Sequence, residues 1–345
     1  MAAHSLGHAA MQEMESTIHG IASLLGVKPQ EIIFTSGASE ANNLAIKGTA
    51  KAYEHVGKHI LSTCLEHPSI SGTLSALQLQ GYEIELVKID KNGQIDLDYL
   101  KRTLRKDTVL LCVSAVDSEL GVIQPLDEIA QIVQAFPNCH LHIDAAQAMG
   151  KIPLDISKLM AVASTLVFSP HKFYGLGGTG VLVKREDIVL MPIIHGGKSM
   201  SLYRSGTPAL GLAACTFTAL QLALHNLEAH NQHVSGMRNF LVSSLTSMHP
   251  QRVRFNSPLQ NSSPYILNIS ITGTKGKDIQ KELDALGICV SVKSACSTDN
   301  APSRPVMATT GDKKNALASW RISFSHLTTM QEVETLISAI SQIIR

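Results

Sequence analysis

Six cysteines, at 64, 112, 139, 215, 289 and 296, include no Cys-x-x-Cys pair and form no regular framework. A disulfide-stapled domain is therefore not indicated, and reduced thiols in a cytoplasm are expected. Neither sign of charge dominates: 29 Lys and Arg against 28 Asp and Glu leave a net +1, with no basic block. Direct nucleic-acid binding is not expected on that account. No apolar run is long enough to span a bilayer, so no membrane partner is expected. Met1 to Ala10 lack the basic and apolar regions of a signal peptide. There is no internal repeat, low-complexity tract or long flexible linker. What remains is a chain of 345 residues, too long for one compact core and predicted to fold as a large domain plus a smaller one.

The hydrophobic pattern alternates in the first two thirds. Ala10, Met14, Ile18, Ile21, Leu24 and Leu25 recur at helical spacing, predicting a helix over 8–25. Strands are predicted at 32–34, 59–63, 84–89, 108–115, 141–144, 164–168 and 181–184, most of them separated by helical or polar crossovers. That order predicts α/β architecture with a largely parallel sheet. After Gly206-Thr207-Pro208 the character changes. One long helix is predicted over 210–248, then a strand at 265–271, a helix at 277–286, strands at 289–292 and 321–324, and a last helix from about 329. The domain change is placed inside the long helix, giving domains 1–227 and 228–345.

Three stretches carry chemistry. Lys172 lies in Ser169-Pro170-His171-Lys172-Phe173-Tyr174-Gly175, at the exit of an apolar run, beside a histidine and before flexible glycines. An amine beside another cationic group loses its proton readily and forms a Schiff base with an aldehyde; an ordinary surface lysine is the competing reading. Upstream, His142-Ile143-Asp144 is a short strand ending in a carboxylate. A pyridoxal phosphate enzyme needs both a Schiff-base lysine and an acid at the pyridine nitrogen. In a parallel sheet Asp144 and Lys172 project from the same edge, where such sheets bind ligands; a helix cap is the alternative for Asp144 alone. Third, Ile32-Ile33-Phe34 runs into Thr35-Ser36-Gly37-Ala38-Ser39-Glu40 and then a helix over 41–55, the form of a phosphate cradle at a helix N-terminus. Ser39 as a plain N-cap competes with that reading. Cys139, His140 and His142 raise the question of a metal, but Leu141 and Ile143 alternate with the histidines as in a strand, and no metal is expected.

In order and spacing these stretches resemble the cysteine desulfurases of the NifS/IscS type, in the class V branch of fold type I pyridoxal phosphate enzymes. The resemblance covers nearly the whole chain. It runs through Phe34-Thr35-Ser36-Gly37-Ala38-Ser39-Glu40-Ala41-Asn42-Asn43, Glu66-His67, Gly121-Val122-Ile123-Gln124-Pro125 and His142 to Gln147. It continues in His171-Lys172, Arg204-Ser205-Gly206-Thr207, Ser294-Ala295-Cys296-Ser297, Pro302-Ser303, and Arg321 before Ser323.

The resemblance implies fold type I: a large domain with a mostly parallel seven-stranded sheet and a smaller C-terminal α+β domain. It implies pyridoxal 5'-phosphate held by Lys172, with Asp144 at the ring nitrogen, Gln147 at the ring oxygen and His67 stacked on the ring. The phosphate would take the Ala38 backbone, Ser39, Ser169 and His171, with Thr207 reaching in from a second subunit of a homodimer. Arg321 would grip the carboxylate of L-cysteine. Cys296 would attack the substrate sulfur, keep it as a persulfide, release alanine and pass the sulfur to an acceptor protein, an iron–sulfur scaffold or a tRNA-thiolation enzyme. Its neighbours Lys293, Ser294, Ser297, Thr298, Asp299 and Asn300 are polar, the setting of a reactive thiol. The other five cysteines are read as structural.

The chain departs from that pattern in places. It begins at a point resembling only the end of the family's N-terminal segment, so a truncated, weakly active or inactive homologue is an alternative reading. Asp117-Ser118-Glu119 stands where Asn-Asn-Glu is usual, putting Ser118 where an asparagine contacts cofactor or substrate. Gly197-Lys198-Ser199-Met200 replaces a stretch with a further glycine, and Pro170 replaces a small residue. A selenocysteine lyase is a further alternative. A transaminase needs no nucleophilic cysteine, so Cys296 argues against it.

Overall fold

The computed structural model describes residues 4–197, 199–292 and 301–344. It divides into two compact units. The first holds the described residues through Lys88, Asp96–Ala115 and Pro125–Asn226; the second holds Ile89–Ile95, Val116–Gln124 and the described residues from Leu227 onward.

The first unit is built on seven strands: β1 (Ile32–Thr35), β2 (His59–Ser62), β3 (Glu83–Leu86), β4 (Thr108–Ser114), β5 (His140–Asp144), β6 (Thr165–Phe168) and β7 (Gly180–Lys184). Their order across the sheet is β1-β7-β6-β5-β4-β2-β3. The ladders from β3 through β6 are parallel, while β7 is antiparallel to both its neighbours. Every residue of β4, β5 and β6 is buried, as expected of central strands covered on both faces. β3, with Glu83 and Glu85, lies at an edge of the sheet and is partly exposed. The glutamates suit an edge that has one unpaired side.

Three of the helices of the first unit bear on the site. Helix α1 (Ser5–Leu25) buries Met14, Ile21 and Leu25, and stops at Gly26, whose left-handed φ of 66° closes the last turn. Helix α2 (Ala38–Ala52) packs Ala41, Leu44 and Ala45 against Ile33, Val167 and Leu182 of the sheet. Helix α3 (Pro68–Gln78) follows β2.

The second unit has three antiparallel strands, β8 (Val253–Phe255), β9 (Ile266–Ile271) and β10 (Ser319–Ser323), in the order β10-β9-β8. Its helices include Leu227–Met248, Gly276–Ala285 and Met330–Ile343.

Several expectations need correction. The stretch 210–248 is two helices, Leu210–His225 and Leu227–Met248, separated at Asn226. Asn226 donates its side-chain N–H to the Leu222 carbonyl at 3.0 Å, a local bond that competes with continuing the helix. The domain cut at 227/228 lies one residue past this break and misses two upstream excursions. Residues 116–124 belong to the second unit, where Leu120 and Val122 share a buried cluster with Val306 and Ala316. The Gly121 carbonyl there accepts from Ser263 N at 2.8 Å. Residues 289–292 form one isolated bridge, Ser291 to Arg321, and no strand. Cys215 and Cys289 are exposed, unlike buried Cys112 and Cys139. Helix Leu210–His225 is apolar nearly all round, so its sequence does not reveal which side Cys215 faces. Among the described residues, no single helix is long and apolar enough to cross a membrane.

Candidate active site

Asp144 is the last residue of β5 and is in register with Val167 of the parallel neighbour β6. The chain leaves β6 through Ser169 into a single 3-10 turn, Pro170–Phe173, that carries His171 and Lys172. Asp144 and Lys172 therefore leave the sheet at its C-terminal edge, in adjacent positions. Pro170 opens the turn, where its missing N–H is not needed. Tyr174, at a left-handed φ of 69°, closes it by donating its N–H to the Pro170 carbonyl.

Asp144 is buried and its two oxygens have different donors. Oδ1 accepts from Ala146 N at 2.9 Å, and Oδ2 accepts from Asn42 Nδ2 at 2.8 Å. No helix begins here, so the cap reading fails. The same Asn42 Nδ2 donates to Ser69 Oγ at 2.8 Å, and Ser69 Oγ lies 2.8 Å from His67 Nδ1. His67 is the N-cap of α3, its Nδ1 accepting from Ser69 N at 3.1 Å. Burial holds His67 below its ordinary value, Asp144 works against that shift, and Lys172 adds to it. A neutral His67 that accepts at Nδ1 carries its proton on Nε2.

The phosphate end is built from backbone. Helix α2 begins at Ala38, and its N-cap Gly37 has no side chain to offer, so the first-turn N–H groups around Ala38 and Ser39 have no side-chain capping oxygen. Ser39 lies inside the helix and is not its N-cap. Gly180 on β7 pairs with Thr35, and a Cβ there would lie 2.5 Å from the Gly37 carbonyl carbon. Only glycine lets the strand approach this closely. Beside it, fully buried Ser169 donates Oγ–H to the Thr179 carbonyl at 2.9 Å and meets His171 Nδ1 at 2.8 Å. Burial first, then the charges of Lys172 and Lys151, hold His171 below its ordinary value. Gln147 Oε1 accepts from Lys151 Nζ at 2.8 Å, which leaves the Gln147 N–H groups as its free donors. Thr207 lines a 160 Å³ cavity with Thr35, Ser36 and Gly206. Arg204 Nε bonds Glu40 Oε1 at 3.0 Å, and Glu40 Oε2 accepts from Ser36 N, tying this loop to the start of α2.

The histidines of β5 are held by hydroxyls: His140 Nδ1 by Ser164 Oγ at 3.0 Å and His142 Nδ1 by Thr165 Oγ1 at 2.9 Å. Burial pushes them down to about 4 and about 3. The strand reading holds for both. Cys139 beside them is pushed up to about 12 by burial, the mark of an inert thiol.

In the second unit, Arg321 on β10 donates from Nη1 to the Ser118 carbonyl at 2.7 Å and from Nε to Ser323 Oγ at 3.2 Å. Burial lowers its affinity for its proton, and Glu119 and Asp117 oppose that. Glu119 accepts from Ser303 Oγ at 2.6 Å. Asp117 accepts from the backbone N–H groups of Glu119 and Leu120, and burial pushes it up to about 7. Ser118, expected among the cofactor ligands of the first domain, lies in the second unit, with its backbone carbonyl engaged by Arg321. Cys296 and Lys198 lie outside the described residues.

The residues of the first unit fit pyridoxal 5'-phosphate. An amine and a carboxylate that accepts two hydrogen bonds share one sheet edge, an imidazole is held beside them, and a helix N-terminus without a side-chain cap stands where a phosphate can take backbone N–H groups. Asn42, Ser69, Thr165 and Lys151 carry no site signal in the sequence, and His142 reads there only as a strand residue. Asn42 and His142 stand in the quoted motifs, but nothing local marks them as partners.

A family model described as aminotransferase class-V matches residues 1–336. The chain is similar to a NifS/IcsS protein homolog of Lactobacillus delbrueckii subsp. bulgaricus, 34% identical over 342 residues, covering 99% of this chain and 88% of that protein. It is similar to the cysteine desulfurase IscS of Dictyoglomus turgidum, 32% identical over 342 residues, covering 99% and 86%. A solved NifS-like protein superposes with a TM-score of 0.93 at 31% identity, covering 99% of this chain and 90% of that one.

Proposed function

Because the chain belongs to the class-V aminotransferase family, in its NifS/IscS branch, we propose that it is a pyridoxal phosphate-dependent cysteine desulfurase that converts L-cysteine to L-alanine. The observation that carries this reading is the juxtaposition of Asp144 and the Lys172 turn at the ends of adjacent parallel strands, with His67 in the electrostatic reach of both.

Pyridoxal phosphate, when bound, supplies the electron sink that stabilises negative charge at the substrate α-carbon. The chain supplies the rest. Lys172 Nζ would be the attachment point for the cofactor, and its amine would take the substrate α-proton. Asp144 would pair with the ring nitrogen, and its two donors hold the carboxylate in place. Gln147, whose oxygen accepts from Lys151, would offer its N–H groups to the ring oxygen. The first turn of α2 and His171 receive the phosphate. Arg321 receives the substrate carboxylate, a task suited to its fork. The Cys296 thiolate attacks the substrate sulfur: an S–S bond forms, the C–S bond breaks, and its electron pair with one proton ends on the β-carbon, giving alanine. The persulfide then goes to an acceptor protein. Thr207 serves the neighbouring subunit of a homodimer; sedimentation showing a monomer with full cofactor occupancy would refute that assignment.

The test is persulfide trapping followed by peptide mapping. The label is expected on Cys296, and Cys296→Ser is expected to keep the visible absorbance of the bound cofactor while losing the label. A persulfide on Cys289 overturns the nucleophile assignment. Absence of cofactor absorbance, in protein purified with pyridoxal phosphate, overturns the function.

A further inference from the structure

Asn42 sits at a junction. It is fully buried on α2, and all three of its polar contacts are to residues far along the chain. Nδ2 reaches Asp144 Oδ2 and Ser69 Oγ, both at 2.8 Å, and Oδ1 lies 3.1 Å from His142 Nε2. The amide can sit only one way round. Reversed, its oxygen would face the Asp144 oxygen, which can only accept.

The direction of each proton follows. His142 is fully buried, and burial pushes it down to about 3, so the ring is neutral and carries one proton. Its Nε2 meets the Asn42 carbonyl oxygen, which can only accept, so the proton is on Nε2. Its Nδ1 then accepts from the buried Thr165 hydroxyl at 2.9 Å. The chain of donors runs from Thr165 to His142 to Asn42 and ends on Asp144. A branch runs from Asn42 to Ser69, whose hydroxyl proton is left for His67 Nδ1 at 2.8 Å.

We infer that Asn42 is a positioning residue that sets the Asp144 carboxylate and the His67 tautomer together, and that His142, backed by Thr165, locks the Asn42 amide in the orientation this requires. The inference rests on the reading of Asp144 as partner of the cofactor ring nitrogen. Removing the amide leaves Asp144 Oδ2 without its donor and frees Ser69 Oγ from the hydrogen bond that orients it. Removing the His142 ring releases the amide one step further back, with a smaller effect.

The test compares two ligands on the full-length protein: pyridoxal phosphate, and an analogue with carbon in place of the ring nitrogen. The readout is the ratio of their dissociation constants. Wild type is expected to favour the natural cofactor. Asn42→Leu is expected to reduce that preference on the order of tenfold, the scale of one hydrogen bond to a charged group. His142→Phe is expected to reduce it by about threefold and His142→Gln, which keeps a donor and an acceptor, to restore it. Thr165→Val gives a further reading from outside the junction should Asn42→Leu fail to fold, with a measurable loss smaller than that of His142→Phe. Equal loss of both ligands in the variants means only packing was damaged and overturns the inference, as does an unchanged ratio. No preference in wild type overturns instead the role of Asp144.

Discussion

Gly180→Ala tests whether the phosphate cradle depends on backbone contact. A Cβ at this position would lie 2.5 Å from Gly37 C, 2.7 Å from Gly37 Cα and 2.9 Å from Ala38 N. Ordinary contact is about 3.5–4 Å, so the overlap is roughly 1 Å against three backbone atoms, none of which can rotate away. Either β7 and β1 separate around the Thr35–Gly180 pair or the first turn of α2 moves outward. Overpacking of this kind costs about 1–3 kcal/mol. Moving the first turn by about 1 Å weakens its hydrogen bonds to a charged phosphate, each worth about 1.5–3 kcal/mol. Two measurements separate the effects. Urea unfolding of the apoprotein is expected to show a lower midpoint with an unchanged slope. Affinity is expected to fall much more for pyridoxal phosphate than for pyridoxal, which has no phosphate to lose. If the variant binds both as wild type does, the helix N-terminus is not the phosphate site. An unchanged midpoint would show that the strand and helix adjust freely.

Two further perturbations read other parts of the site. Without phosphate, His171 is held below its ordinary value by burial and by Lys172 and Lys151; a phosphate dianion favours the imidazolium and raises it, so binding takes up a proton. Affinity for pyridoxal phosphate is then full below the free-state value and declines as pH rises through the interval up to the bound-state value. Isothermal titration in two buffers of different ionisation enthalpy measures the uptake, and an unchanged uptake in His171→Ala would rule the histidine out as its source. Arg321→Gln is expected to raise KM for cysteine on the order of ten- to a hundredfold, the worth of a charged hydrogen bond or two, with cofactor absorbance unchanged. A KM within twofold of wild type would remove Arg321 from the substrate site.

Much of this was legible because it is local. A strand that ends in Asp144 and one that ends before Ser169-Pro170-His171-Lys172 can be read from runs of a few residues, and neighbouring parallel strands must present their ends on one edge. The start of α2 after Thr35-Ser36-Gly37 is equally local. The break at Asn226 is not legible because apolar spacing continues through it, while the backbone and side-chain N–H groups of Asn226 both turn to the Leu222 carbonyl.

The amino-acid sequence by itself determined the α/β order, the amine, the carboxylate and the glycine-lined helix start. Only the tertiary structure decided what holds them. Asn42 and Asp144 are 102 residues apart, Asn42 and His142 are 100 apart, and Arg321 and Ser118 are 203 apart. Hydrophobic periodicity says which face of an element is buried and nothing of which polar group waits there. A buried amide must find partners wherever the fold brings them, and α2 crossing β5 brought Asp144 and His142 to the same asparagine.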